Sequence, residues 1–136
     1  MILVDSNILM YAAGAAHPHK APSVALLERV AAGQVSACVS VEVLQEVLHR
    51  YRALDRWSDG RRVYELTRQI VPTVIPVTVA MLDRARDILD ATPGIMARDA
   101  VHAAVVQLES LAAICSYDRD FDRIAELRRV QPDDVT

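Results

Sequence analysis

MILVDSN, residues 1–7, is the stretch that decides the fold. Met1 to Val4 is apolar without alternation, which predicts a short strand covered on both faces. Asp5 follows at once, and Asp5 or Ser6 can cap a helix carrying Ile8, Leu9 and Tyr11. A buried strand that ends on an acid and turns into a helix is one half of a parallel β–α–β unit.

The same alternation continues outward from that start. Gly14 and His17-Pro18-His19 break the first helix, and a second is expected from Pro22 to Ala32, ended by Gly33. Val35 to Ser40 reads as a strand, followed by helices over Val41–Leu54 and Ser58–Ile70. The first of these has an apolar stripe of Leu44, Val47, Leu48 and Tyr51. Thr73-Val74-Ile75, between Pro72 and Pro76, reads as a third strand, and Thr78 caps a helix ending near Ala91. After Pro93-Gly94, Met96 to Leu108 is helical, Leu111 to Ser116 a fourth strand, and Arg128 to Val130 a final edge strand. The expectation is an α/β fold: one domain over residues 1–136, with a parallel sheet of four to five strands flanked by helices on both faces.

In such sheets, chemistry gathers beyond the carboxyl ends of the strands, where strand order reverses. Asp5 directly follows the first strand and Asp118 lies just past the fourth. Asp99 is in the first turn of the helix after Pro93-Gly94, and Glu46 is in the helix after the second strand. Carboxylates that converge without a metal repel one another and raise each other's pKa. Hard cations such as Mg²⁺ need only a few such oxygens. A bound cation would activate water and stabilise charge on a phosphoryl oxygen.

Each acid also has a plainer reading. Asp5 and Asp99 suit helix N-termini, Glu46 can pair with Arg50 one turn on, and Asp118 and Asp120 fit a polar turn. Periodicity does not separate Glu46 from Glu42.

Taken in order, MILVDSNILMY, SVEVLQEVLHR, ARDAVHAAVV and SYDRDFD resemble the PIN-domain family, and most closely its VapC-type ribonuclease toxins. The resemblance implies a Mg²⁺-dependent endoribonuclease in which Mn²⁺ can substitute. It further implies a five-stranded parallel sheet, a homodimer, and inhibition by a cognate antitoxin protein. Carried over position by position, it names Asp5, Glu46, Asp99 and Asp118 as catalytic acids, with Asp5, Asp99 and Asp118 as metal ligands. Ser6 and Ser116 would hold a ligand carboxylate or water, and Asn7 would help position the site. Asp118 is expected in the inner ligand shell, with Asp120 outside it and Phe121 anchoring the loop. Aromatic residues of the middle helices, Tyr51, Trp57 and Tyr64, are either candidates for an interface or ordinary core.

Other polar residues carry less. His17 and His19 lack a third ligand nearby and read as a solvated loop. His102, one turn after Asp99, either bonds it or packs, and His49 belongs beside Arg50 on an outer helix face. Arg98 and Arg119 flank the acids, and either grip RNA phosphates or offset the acid charge.

Composition excludes several alternatives. Hydrophobic residues make up 52% of the chain, and the two cysteines, Cys38 and Cys115, sit in apolar runs that suit buried thiols in a reducing compartment. The first basic residue is Lys20, so a secretory start is not expected. The uncharged stretches Ser6–His19 and Ile70–Leu82 contain Pro or Gly and fall short of the roughly 18 residues of a membrane span. The expectation is a cytoplasmic protein without a membrane partner. Net charge is −3, so contact with RNA rests on local basic groups and a cation. Fourteen of the fifteen basic residues are Arg, a choice that suits bidentate phosphate contacts but also follows from nucleotide composition. A phospho-receiver or an Asp-x-Asp phosphatase would need a late lysine, and Lys20 is the only one. A catalytically silent PIN-fold binding protein is the alternative of a different class, but all four acids are present.

Overall fold

Strand β1 runs from Ile2 to Val4, every residue of it buried, and sits at the centre of the sheet. The computed structural model describes residues 1–136. After β1 come α1 (Ser6–Ala13), α2 (Lys20–Ala31), β2 (Ala37–Ser40), α3 (Val41–Ala53), α4 (Trp57–Ile70) and β3 (Val74–Ile75). The order continues with α5 (Val79–Ala91), α6 (Ala97–Leu108), β4 (Ala113–Cys115) and β5 (Arg129–Val130). Short 3-10 turns occupy Arg119–Arg123 and Pro132–Asp134.

The five strands lie in the order β3-β2-β1-β4-β5 and every neighbouring pair is parallel. Leu3 stands opposite Cys38 on one side and Ile114 on the other, which places the ends of β1, β2 and β4 level. The chain moves outward from β1 to β2 to β3, then returns past β1 to β4. Right-handed crossovers therefore put α1–α4 on one face and α5–α6 on the other. The reversal falls between β1 and β4, and that is where their carboxyl ends open.

Local signals act where the sequence placed them. The Thr78 hydroxyl accepts the Met81 N–H (3.3 Å) as expected, and Ser40, read only as the end of a strand, likewise accepts that of Val43 (3.1 Å), each satisfying a donor the first helical turn leaves free. Gly33 takes φ +74° after α2, a left-handed conformation that glycine adopts without cost. Helix α2 starts two residues before the expected Pro22, because proline in a first turn surrenders no hydrogen bond. Strands β2 and β4 begin two residues later than expected, at Ala37 and Ala113, although the Ser36 carbonyl already accepts the Ile2 N–H (3.0 Å) and the Ala112 N–H donates to the Met1 carbonyl (2.9 Å).

The core differs from the expected stripes in two places. On α3, Val43 is buried together with Leu44, Val47 and Tyr51, while Leu48 is only half-buried. Tyr51 belongs to the core rather than an interface, at 6% exposure. It is covered by Gly60 of α4, where a Cβ atom would come within 2.4 Å of the Tyr51 Cβ. Trp57 remains exposed, with the Arg52 guanidinium 5.6 Å from its ring centre. Cys38 and Cys115 are buried free thiols, pushed by burial up to about 11 and about 12. No helix is long and apolar enough to cross a membrane.

Gly60 sits inside a helix, where alanine by itself would be favoured by about 1 kcal/mol. Overpacking against Tyr51 opposes this, at about 1–3 kcal/mol. Gly60→Ala is expected to lower stability in urea denaturation; a more stable variant would refute the close α3–α4 contact.

Candidate metal centre

The site is built outward from Asp5. Its backbone N–H donates to the Cys115 carbonyl (3.0 Å), pinning the ends of β1 and β4 together. One carboxylate oxygen accepts the Ser6 N–H (2.7 Å) and the other accepts the Ser116 hydroxyl (2.6 Å). Ser116 Oγ also accepts from Asn7 Nδ2 (2.9 Å) and from the Asp118 N–H (3.0 Å). That hydroxyl has one proton to give and two acceptor positions, and all three are used.

Glu46 reaches the same place from the second turn of α3. It accepts the Ser6 hydroxyl at Oε2 (2.6 Å), and its Oε1 lies 2.9 Å from His102 Nε2. His102 is fully buried on α6, and its Nε2 is 3.8 Å from Asp5 Oδ1. Asp99 stands in the first turn of α6, facing Asp118, which caps the 3-10 turn by accepting the Asp120 N–H (2.9 Å). The ring of Phe121 is fully buried beneath that turn. Arg129 fixes the turn from β5, donating to both Asp122 oxygens (2.9 and 3.1 Å) and to the Ser116 carbonyl (3.0 Å).

These groups border a cleft of about 500 Å³ that includes Asp5, Glu46, Asp99 and Asp118. Ligand atoms of Asp5, Glu46 and the buried His102 lie within 4.8 Å of one another, and so do those of Asp99, Asp118 and Asp120, although His102 and Asp120 do not themselves line the cleft. The expected trio of Asp5, Asp99 and Asp118 is thus distributed over two adjoining sets along one wall. The donors are mainly carboxylate oxygens, which is the chemistry a hard divalent cation takes.

Electrostatics agrees with that fit. Asp99 is pushed up to about 6 by burial and by the charges of Asp118 and Asp5, with His102 and Arg98 only partly offsetting them. Burial likewise raises Asp5. Burial would raise Glu46 too, but the hydrogen bonds from His102 and Ser6 hold it low. For His102, burial favours the neutral ring, yet the Glu46 bond and the charges of Asp5 and Asp99 raise its pKa overall. The set with Glu46 and His102 therefore keeps its anion neutralised internally, and the set with Asp99 and Asp118 carries negative charge that a cation would relieve.

Several expectations change at this level. Glu46 turns into the cleft and pairs with His102 rather than Arg50, while Glu42 stays outside it. His102 bonds Glu46, not Asp99. Helical spacing pointed to the adjacent acid; the packing of α3 against α6 supplied the other. His49 and Arg50 are exposed as expected, but that outer face of α3 borders the cleft. Arg98 lines the cleft and Arg119 does not. Ser6 holds the Glu46 carboxylate and Ser116 that of Asp5, each by a direct hydrogen bond. Asp120 is more exposed than Asp118, as expected, although it joins Asp99 and Asp118 in the second set. The loop histidines are not simply solvated, because His19 stacks on Tyr117.

The PIN-domain family model matches residues 2–127. The chain belongs to the PIN-domain family. Ribonuclease VapC13 of Mycobacterium tuberculosis is 38% identical over 130 residues, covering 96% of this chain and 99% of that relative. Two solved structures share the PIN-domain fold. A toxin-antitoxin complex from Klebsiella pneumoniae matches with a TM-score of 0.68 at 19% identity, over 97% of this chain and 98% of that one. VapBC2 from Rickettsia felis, bound to a promoter DNA fragment, matches with a TM-score of 0.74 at 18% identity, over 96% and 98%.

Because the folded pKa of Asp99, about 6, lies above its ordinary 3.8, the folded protein holds a proton there that the unfolded chain has lost. Its ionisation therefore costs stability as pH rises through that window, and fully above it. In chelator, Asp99→Asn is expected to melt at or above the parent at pH 7.5, with the difference shrinking toward pH 4.5. A clear loss of Tm at pH 7.5 would mean that the Asp99 carboxylate serves the helix N-terminus instead.

Proposed function

We propose that this chain is a divalent-metal-dependent endoribonuclease that hydrolyses RNA phosphodiester bonds, and the toxin of a toxin–antitoxin pair. The observation that carries this reading is the single cleft bordered by Asp5, Glu46, Asp99 and Asp118 at the β1/β4 reversal. The 38% identity to a ribonuclease over nearly the full chain supports it. Nothing favours the silent binding protein. The remaining parts of the reading are one domain over residues 1–136, a cytoplasmic location, and Mg²⁺ as the ion, with Mn²⁺ able to replace it.

Asp5, Asp99 and Asp118 would hold the cation. When bound, it supplies Lewis acidity, offsetting charge on the phosphoryl group and making water a better nucleophile. Ser116 and Asn7 fix the Asp5 carboxylate, and Ser6 and His102 fix that of Glu46, so none of these acids must be reoriented when substrate arrives. Arg50 and Arg98 at the cleft meet the phosphate charge that the acids alone would repel. Activity is expected to vanish in EDTA and return with Mg²⁺ or Mn²⁺. Asp118→Asn should lower kcat by more than ten-fold, partly recovered at high Mn²⁺ because the amide retains one oxygen ligand. Asp120→Asn should cost less. Full activity after verified metal removal refutes the mechanism, and a larger, metal-irreversible loss for Asp120→Asn reverses the two roles.

An antitoxin has a surface to occupy. Leu9, Ala12 and Ala13 of α1, Val24 and Leu27 of α2, and Val63, Leu66 and Ile70 of α4 border an apolar groove of about 270 Å³, a shape that takes the apolar face of a helix. Homodimerisation would use a different face, where Val79 and Leu82, one turn apart on α5, are 75% and 52% exposed. Leu66→Arg is expected to abolish capture of the neighbouring gene's product while RNA cleavage persists. Unchanged capture refutes the groove as its seat. Leu82→Glu should convert the dimer to a monomer by light scattering.

A further inference from the structure

Four aromatic rings stand between the cleft and the turn that follows α1. Tyr11 is central: its ring centre lies 4.6 Å from that of His17, 5.0 Å from that of His19 and 5.5 Å from that of Tyr117. His19 and Tyr117 stack at 3.6 Å with 8° between their planes, edge-on to Tyr11. The turn is braced, since His17 Nδ1 accepts the His19 N–H (3.0 Å) and the Lys20 ammonium donates to the Gly14 carbonyl. On the other side, Tyr117 is held between Ser116 and Asp118, two residues of the acidic site.

A cluster that served only the core would be buried, and this one is not. His17 is exposed, the other three rings are half-buried, and Tyr11 itself lines the cleft beside Asp5 and Asn7. The chain has only six Phe, Trp and Tyr residues, and two of them stand at this rim: Tyr11, which is outside the core, and Tyr117, which packs against the core from its edge. Rings held rigid at the edge of a phosphate-binding cleft stack on nucleobases, whose π-faces are available only when the base is unpaired. We infer that the Tyr11 cluster is the nucleobase subsite of this cleft: an unpaired base next to the phosphate at the acids stacks on Tyr11, with His17 as the adjoining ring. This rests on the ribonuclease reading for its phosphate, and it specifies single-stranded or looped RNA rather than duplex as the substrate.

The test uses a 12-nucleotide single-stranded RNA with 2-aminopurine at its centre, whose fluorescence is quenched by stacking, and the uncleaving Asp99→Asn protein with Mg²⁺. Binding is expected to quench the probe, and the same RNA in a duplex to bind weakly without quenching. Tyr11→Leu and His17→Ala should each weaken binding about ten-fold and remove most of the quenching, whereas Tyr11→Phe, which keeps the ring, should behave as the parent. In the cleaving protein the same variants should raise KM without moving the metal concentration for half-maximal activity. No quenching in the parent, or unchanged affinity in both Tyr11→Leu and His17→Ala, overturns the subsite. Equal losses in Tyr11→Phe and Tyr11→Leu also overturn it, since the hydroxyl would then be responsible. If Tyr11→Leu does not fold, the exposed His17→Ala carries the comparison. The two readings fail separately: ring-dependent quenching without RNA cleavage removes the nuclease and leaves the subsite, and cleavage with ring-independent binding does the reverse.

Discussion

The carboxylate of Asp5 has to sit, almost wholly buried, at the end of the central strand, and the surroundings of the site are arranged around that burden. A buried anion without hydrogen bonds is among the costliest groups a fold can hold. Here one oxygen is satisfied by the backbone of α1 and the other by Ser116 from the end of β4. The second bond couples two strands that come from opposite ends of the chain. Ser116 is itself fixed by Asn7 and by the backbone of Asp118, so the geometry of one acid sets the position of the next.

The second constraint is charge. Four acids share one cleft, and the chain meets them with one buried imidazole and a few arginines at the edge. Glu46 is internally compensated through His102, which leaves Asp5 and Asp99 as the acids whose ionisation burial opposes. A hard cation would relieve that imbalance, and such local, divalent neutralisation would let a protein of net negative charge meet a phosphate without a basic surface.

Helix α1, eight residues long, serves two surfaces at once. Ser6, Asn7, Met10 and Tyr11 face the cleft, while Leu9, Ala12 and Ala13 face the apolar groove. With 3.6 residues per turn, so short a helix between two cavities has almost no face left over. A partner seated in the groove would therefore bear on the element that carries Ser6 and Tyr11.

The alternation of apolar runs and amphipathic stretches made the parallel α/β sheet legible from residues alone. Asp5, Asp99 and Asp118 could be chosen because each falls at an element boundary on the carboxyl side of the sheet. The cap at Thr78 was equally plain, since it depends on neighbours within a few positions. Other features depend on contacts between distant segments and were not written locally. Periodicity did not separate Glu46 from Glu42; the family resemblance named Glu46, and the docking of α3 against α6, which brings His102 to it across 56 positions, is the physical reason. The helical position of Gly60 has meaning only because Tyr51 lies against it. His17 and His19 formed no motif until the turn after α1 folded back onto Tyr117. Periodicity and capping are short-range, so sequence determined the elements, their order and the acids at their ends. Which side chains meet depends on how the faces pack, and only the tertiary structure decided the pairing of the acids, the ring cluster and the groove.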